Sequence, residues 1–265
     1  MSEKYDLNYL SKFTDEYKNK SVLITGATGF FGSWMVKALC DDCNLYYSNR
    51  ENMSGMLRLA KYDYIFHFAP TPIEPVIECA KRSGAKILYA SSGAVYGSIG
   101  VKVDEDYQTN PKTEYGIEKL RSENILKNSG LDYCIARLFT FCGTGLKNNF
   151  AVTNFIDDIK NDRPIKVLWP HTVRSYMYIV DAISWLLVLM QSENGIYNVG
   201  SEKGISVGKL AELVSSFTIP RNEIMVSDKP FIDPAPYYVP DCSKAHDLGL
   251  EQHFSLNYGI ERMME

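Results

Sequence analysis

The sequence predicts an α/β fold built on a doubly wound parallel sheet, followed by a smaller C-terminal region. Three observations predict it. Short apolar runs rich in β-branched residues alternate with segments of helical apolar spacing through the first half. A glycine turn, Gly26, Ala27, Thr28, Gly29, Phe30, Phe31, Gly32, sits between the first such run and the helix after it. The second half loses this alternation. The expected division is residues 1–143 for the sheet domain and 144–265 for the smaller region, with 176–200 packing back on the first.

In chain order, residues 7–17 predict a short helix lying on the domain. Ser21 to Thr25 reads Ser-Val-Leu-Ile-Thr, a buried strand. Residues 33–39, after the glycine turn, carry helical spacing. Residues 44–48 predict a second strand and 49–62 a connection with room for a helix. Strands over 64–68, 86–90 and 133–138 alternate with helices over 73–83 and 113–128. Beyond them, 151–161, 180–191 and 207–216 read as helices, with Ser206 where an N-cap belongs. The proline-rich stretch 228–240 predicts a loop. No internal repeat or low-complexity segment is present.

Composition narrows the function. The chain has 265 residues, 45% hydrophobic and 23% charged, with a net charge of −4, so no basic field draws nucleic acid to it. The first residues are polar and charged, and no apolar run reaches membrane-spanning length, so a cytoplasmic protein without membrane contact is expected. Six cysteines scattered over a long chain suggest reduced thiols. Cys40 and Cys43 form C-x-x-C, but no second pair or nearby histidine completes a metal site, and none is expected.

Two constellations carry chemistry. In the glycine turn, Gly26 allows the tight bend, Gly29 admits a pyrophosphate to the backbone, and Gly32 lets the helix pack closely; the helix N-terminus then faces the phosphates. The flanking strand and helix supply the context that a bare glycine spacing lacks. The second constellation is Tyr115 and Lys119, four apart and therefore on one helix face. An ammonium near a phenol favours the phenolate and draws its pKa toward working pH, which suits a proton donor and acceptor for a hydroxyl/ketone interconversion. Ser92 follows a strand at the sheet's C-terminal edge and offers a hydroxyl to the reacting oxygen. Alone, each would read as a ligand-free turn or an exposed helical pair; together they read as a nucleotide-binding enzyme.

In these residues the chain resembles the extended short-chain dehydrogenase/reductase family, in its NAD(P)-dependent nucleotide-sugar epimerase/dehydratase branch. The resemblance rests on Gly26 to Gly32, on His67-Phe-Ala, and on Ser91-Ser-Gly-Ala-Val-Tyr-Gly. It continues in Tyr115-Gly-Ile-Glu-Lys, Arg174-Ser-Tyr-Met-Tyr-Ile-Val-Asp, Tyr197-Asn-Val-Gly and Asp241-Cys-Ser-Lys-Ala. It implies a Rossmann-type sheet and a small-molecule nucleotide-sugar substrate. It makes Tyr115 the general acid/base, Lys119 the partner of the nicotinamide ribose, and Ser92 the catalytic serine. The dinucleotide would be held by Gly26, Thr28, Gly29, Phe30, Phe31, Gly32, Ser48, Asn49, Arg50, Phe68, Ala69, Pro70, Tyr115 and Lys119. Ser92, Tyr115, Thr140 and Arg174 would meet the substrate, Arg174 at its diphosphate.

Departures from the family's pattern shape the reaction. Dehydratases carry Asp-Glu after the catalytic residue and decarboxylating members keep a glutamate; here stand Gly93 and Ala94. Epimerisation at carbon 4 is the leading expectation and reduction of a 4-keto sugar the alternative, with a catalytically silent dinucleotide-binding regulator as a third reading of another class. Ser48-Asn49-Arg50, where an NAD enzyme usually places an acid, favours NADP over NAD. The segment before Tyr64 is abbreviated, the helix over 73–83 is short, and the family's usual homodimer contact is in doubt. Phe231 stands near the place of a second diphosphate arginine, and Thr140 where asparagine is usual.

The remaining polar candidates carry plainer expectations. His67 reads as a packed core histidine, and His171 as a loop residue that surface exposure explains as well as substrate contact does. Asp104, Glu105 and Asp106 read as a solvated loop. Asp181 reads as a helix-start residue, and Tyr176 and Tyr178 as packing residues.

Overall fold

The computed structural model describes residues 2–49, 51–147, 149–227 and 236–265. In chain order it forms α1 (Ser2–Leu10), β1 (Ser21–Thr25), α2 (Phe30–Leu39), β2 (Asn44–Ser48), α3 (Met53–Leu59), β3 (Tyr64–His67), α4 (Glu74–Ser83), β4 (Lys86–Ser92), α5 (Glu114–Lys127) and β5 (Tyr133–Leu138). Then come β6 (Phe141–Cys142), α6 (Ala151–Lys160), β7 (Ile165–Val167), β8 (Val173–Ser175), β9 (Met177–Tyr178), α7 (Ile179–Gln191), β10 (Gly195–Val199) and β11 (Gly204–Ser206). The chain ends with α8 (Val207–Ser215), β12 (Ile224–Val226), β13 (Tyr237–Tyr238), α9 (Ser243–His246) and α10 (Leu256–Met264).

The chain divides into two compact units. The first holds Met1–Gly97, Thr109–Leu138 and Ala182–Val199; the second holds Ser98–Gln108, Phe139–Asp181 and Gly200–Glu265. Against a single cut at residue 143, residues 98–108 and 139–143 therefore group with the second unit, as do 176–181 from the stretch expected to pack back on the first.

In the first unit, six strands form one parallel sheet in the order β10-β5-β4-β3-β1-β2. The order reverses between β1 and β3, and in such sheets a ligand crevice opens at that reversal, beyond the strands' carboxyl ends. The central strands are largely buried: β1 buries Val22 to Thr25 and β4 buries Ile87 to Ser92. Leu23, Ile65, Ile87 and Ile135 from four strands pack with Val76, Ile77, Ala80 and Leu126 from α4 and α5. Each fully buried aliphatic side chain of this kind is worth roughly 1.5–3 kcal/mol.

Some boundaries differ from the sequence reading. The N-terminal helix starts at Ser2 and stops at Leu10; two 3₁₀ turns, Ser11–Phe13 and Asp15–Tyr17, replace its second half. Tyr17 ends this segment fully buried, donating to the Leu187 carbonyl at 2.6 Å with its ring against Tyr64 and Phe66. That burial turns the chain back toward β1 and stops helical propagation. Tyr237–Tyr238 forms a strand inside the stretch expected to be loop; residues 228–235, Phe231 among them, lie outside the described residues.

The second unit is built from small sheets: β11-β8-β13, β12-β7 and β6-β9. The hydroxyl of Ser206 caps α8, accepting from the Lys209 amide at 3.2 Å. Asp181 stands in the first turn of α7, as expected. Its carboxylate is fully buried and accepts from the amides of His253 (3.1 Å) and Phe254 (2.9 Å), tying the C-terminal segment down. Tyr176 and Tyr178 are buried, as packing residues should be, and His171 is exposed.

Candidate active site

In the glycine turn, close approach selects two of the glycines, and at Gly26 a left-handed backbone adds to it. Gly26 has φ +73°, and a Cβ there would sit 2.8 Å from the Ala69 amide nitrogen. At Gly32 a Cβ would sit 2.2 Å from the Gly26 carbonyl oxygen, so the first turn of α2 lies directly on the glycine bend. Gly29 is different: it is exposed and is the N-cap of α2 in extended conformation, where an added Cβ would meet only the Gly26 oxygen, at 3.2 Å. Thr28 is exposed beside it. The start of α2 thus lies on a glycine bend with Gly29 exposed at its N-cap, a cradle-like arrangement that fits a dinucleotide's pyrophosphate.

The walls of the cradle come from the neighbouring strand ends. Phe31, from the first turn of α2, stacks on Phe68 (6.0 Å), which stacks on Phe66 (6.1 Å). Ala69 is buried and Pro70 exposed just beyond. On the other side, the Ser48 carbonyl accepts from the Ala27 amide at 3.0 Å, which seals β2 to the glycine turn. Ser48 itself is fully buried, and its hydroxyl has no hydrogen-bond partner among the described residues. The Asn49 side-chain oxygen accepts from the amides of Glu51 and Asn52 and so is committed to the turn into α3. Arg50 lies outside the described residues.

Ser92, Tyr115 and Lys119 come together in the first unit. Ser92 ends β4 and its hydroxyl caps the 3₁₀ turn Gly93–Tyr96, accepting from the Ala94 amide at 3.2 Å. Thr113 caps α5 in the same manner through the Gly116 amide at 3.1 Å. Gly116 is why the helix can start there: a Cβ would meet the Ala94 carbonyl at 2.7 Å. The turn carrying Ser92 and the helix carrying Tyr115 are therefore in backbone contact, and the nearby Ser92 hydroxyl favours the Tyr115 phenolate. Tyr115 keeps 54% of its surface exposed, open to a reactant.

One electrostatic expectation is corrected. Lys119 does not draw the Tyr115 pKa down here; burial raises it, and the nearby Ser92 hydroxyl offsets this in part. The reason is geometric. The Lys119 ammonium donates to the Ala90 carbonyl at 2.7 Å and lies over two rings, Tyr89 at 4.8 Å and Tyr115 at 5.7 Å, facing the ring rather than the hydroxyl. Burial brings the Lys119 pKa down to about 8. His67 behaves as the core residue expected of it: fully buried, hydrogen-bonded through Nδ1 to Thr25 Oγ1 at 2.6 Å and stacked on Tyr89. Burial holds its pKa down at about 4, so it stays neutral. Thr25, His67, Tyr89 and Lys119 thus run as one line of contacts from the glycine turn to the tyrosine.

Thr140 and Arg174 belong to the second unit. The Thr140 carbonyl accepts from the Met177 amide at 3.1 Å, which joins the segments around β6 and β9. Arg174, in β8, stacks its guanidinium 5.2 Å above the Tyr238 ring, and its Nη1 donates to the Val173 carbonyl. It is half-buried and makes no ion pair among the described residues; burial disfavours its charge. A cation held this way can take an anionic ligand. The sequence reading missed one cluster altogether, the buried pair Glu123 and Arg137. An arginine within the apolar strand Tyr-Cys-Ile-Ala-Arg-Leu was the available signal, because such a charge needs a buried partner.

The model of the NAD dependent epimerase/dehydratase family matches residues 73–200. UDP-glucuronic acid decarboxylase 3 of Arabidopsis thaliana is 28% identical over 305 aligned positions, covering 93% of this chain and 89% of that protein. A putative UDP-glucose 4-epimerase of Methanocaldococcus jannaschii is 32% identical over 189 positions, 68% of this chain and 62% of that one. Among solved structures, the UDP-glucose 4-epimerase of Thermotoga maritima with UDP-glucose superposes with a TM-score of 0.81 at 23% identity, covering 92% of this chain and 97% of that chain.

Proposed function

The chain belongs to the NAD-dependent epimerase/dehydratase family, and from that premise we propose that it is a UDP-sugar 4-epimerase working with a bound nicotinamide dinucleotide. The observation that carries the reading is the joining of Ser92, Tyr115 and Lys119 at the C-terminal sheet edge, one line of side chains away from the glycine cradle. Both curated relatives act on UDP-sugars by name, which supports that substrate class. Gly26, Thr28, Gly29, Phe30, Phe31 and Gly32 would hold the pyrophosphate, with Ser48, Asn49 and Arg50 toward one ribose and Phe68, Ala69 and Pro70 along the wall. Lys119 would hold the nicotinamide ribose.

When bound, the nicotinamide supplies the hydride acceptor and donor for sugar carbon 4. The chain's own residues manage the proton. The Tyr115 phenolate takes it from the carbon 4 hydroxyl and returns it after the sugar has presented its other face. The Ser92 hydroxyl holds the reacting oxygen and, beside the phenol, favours the phenolate. Arg174 receives the substrate diphosphate. The Arabidopsis relative is a decarboxylase, but Gly93 and Ala94 put no carboxylate in the turn after Ser92, which supports epimerisation over decarboxylation.

The absence of an acid at Ser48 and Asn49 favours one second reading, an NADPH-dependent 4-keto-sugar reductase. Purified protein incubated with UDP-glucose, without added dinucleotide, should yield the 4-epimer by NMR. Steady NADPH consumption with a UDP-4-keto-sugar and no epimer would replace the leading reading with the second. Carbon dioxide release from UDP-glucuronic acid would overturn both. Titration with NAD and NADP decides the 2′-phosphate preference separately.

A further inference from the structure

Beneath the serine turn of the first unit lies a buried polar cluster that this chemistry leaves unused. Glu123 is fully buried, one helical turn after Lys119 on the same face of α5. Both its oxygens accept from Arg137, Nε to Oε1 at 3.1 Å and Nη2 to Oε2 at 2.9 Å, in a two-point fork. The same Oε1 accepts from the Ser91 hydroxyl. The third guanidinium arm, Nη1, donates to the Tyr96 hydroxyl at 3.0 Å, and that hydroxyl donates to Asn198 Oδ1 at 2.7 Å. Strand register explains the convergence: Arg137 in β5 pairs with Ser91 in β4 on one side and Asn198 in β10 on the other.

The cluster's place is what matters. Ser91 immediately precedes Ser92, and Tyr96 ends the same 3₁₀ turn, so both ends of the turn are held. The other anchor, Glu123, stands on the helix that carries Tyr115 and Lys119. A buried ion pair is weak evidence for stability, because well-packed apolar residues often serve as well or better. It does fix geometry, since a bidentate fork tolerates little rotation. Resting on the reading that Ser92 and Tyr115 move the proton, we propose that Glu123 and Arg137 are positioning residues. Their fork, with Ser91 and Tyr96, clamps the Ser92 turn in register with α5 and keeps the serine hydroxyl within reach of the phenol.

The test uses the full chain and two mild variants, Ser91→Ala and Tyr96→Phe, each removing one hydroxyl and leaving the ion pair intact; Arg137→Lys, which loses the fork but keeps the charge, is the severe variant. Hydrogen exchange is read by mass spectrometry over residues 91–97, and kcat and KM are read with UDP-glucose as the probe. The clamp requires exchange in the turn to rise about fivefold or more while β1 and β3 keep their protection. It also requires kcat to fall about 10- to 100-fold with KM changed less than about threefold. Unchanged exchange in the turn overturns the proposal, as does a loosened turn with kcat intact, or an even loss of protection throughout the sheet. A wild-type chain without turnover on any UDP-sugar counts against the activity reading alone; the exchange result then decides whether the clamp holds the turn.

Discussion

The two units place their candidate functional groups on different kinds of support. In the first, Gly26, Ser92, Tyr115 and Lys119 sit at the ends of parallel strands or on the helix packed beside them, and Gly26, Ser92 and Lys119 are each fixed by backbone contacts. In the second, Arg174 lies on a three-residue strand between two others as short, held by one ring and one carbonyl. The contrast teaches where tolerance should lie. Sites on a rigid sheet edge fail steeply when one atom moves, whereas a guanidinium on a short strand fails in proportion to the contact it loses.

The steepest break should come from Tyr115→Phe. The change removes one hydroxyl at a half-exposed position, so fold and dinucleotide binding should survive while kcat falls about 10³- to 10⁴-fold. Dinucleotide fluorescence titration beside steady-state kinetics separates the two. Next comes Gly32→Ala. Its Cβ would lie 2.2 Å from a backbone oxygen that cannot swing aside, so the helix must shift on the bend. Overpacking of about 1–3 kcal/mol should lower Tm by roughly 3–10 °C and weaken dinucleotide binding well beyond that of the same change at the open position Gly55, where a Cβ meets nothing. Equal effects at the two glycines would erase the contrast between cradle and surface.

The same contrast marks how far the sequence could be read. β1, the glycine turn and α2 follow from the nineteen adjacent residues 21–39, whose pattern matches their surroundings. Tyr115 and Lys119 meet through helical periodicity, again a local rule. The Ser206 cap and the strand limits of β2 and β5 were legible for the same reason. What resisted reading depends on distant partners. Tyr237–Tyr238 becomes a strand because β8 offers it an edge, not through any local preference beside Pro236. The Lys119 ammonium turns to Ala90 because the strand end supplies a carbonyl there. Arg137 looks like an anomaly in an apolar strand until Glu123, on the helix before it, is seen to fork with it.

Arg174→Met tests the second unit's side of the comparison. Methionine keeps the stem against Tyr238 and removes the charge. With the guanidinium assigned to the diphosphate, KM for UDP-glucose should rise about 10- to 100-fold, with kcat within about threefold and Tm nearly unchanged. A fall in kcat matching that of the tyrosine variant would instead place Arg174 in the chemistry and remove the distinction between steep and graded failure.

The smallest effect is a pH dependence seated in Asp181. Burial raises its pKa from the usual 3.8 to about 7, even though two backbone amides favour the charged form. The folded chain therefore holds a proton that the unfolded chain gives up. Stability from this group is fully present below about pH 4 and is lost as pH rises toward about 7, the opposite of a salt-bridged carboxylate. In Asp181→Asn the side chain is neutral throughout and retains one acceptor for the two amides, so its Tm has no such slope. The wild-type advantage in Tm should accordingly shrink by a few degrees between about pH 5 and pH 8. Calorimetry of both proteins across that range reads the difference directly. A constant difference would mean that the two amide bonds already keep Asp181 ionised at the acid end. The second unit's C-terminal tie would then be an ordinary charged cap, as firm as the backbone contacts that fix the first unit's edge.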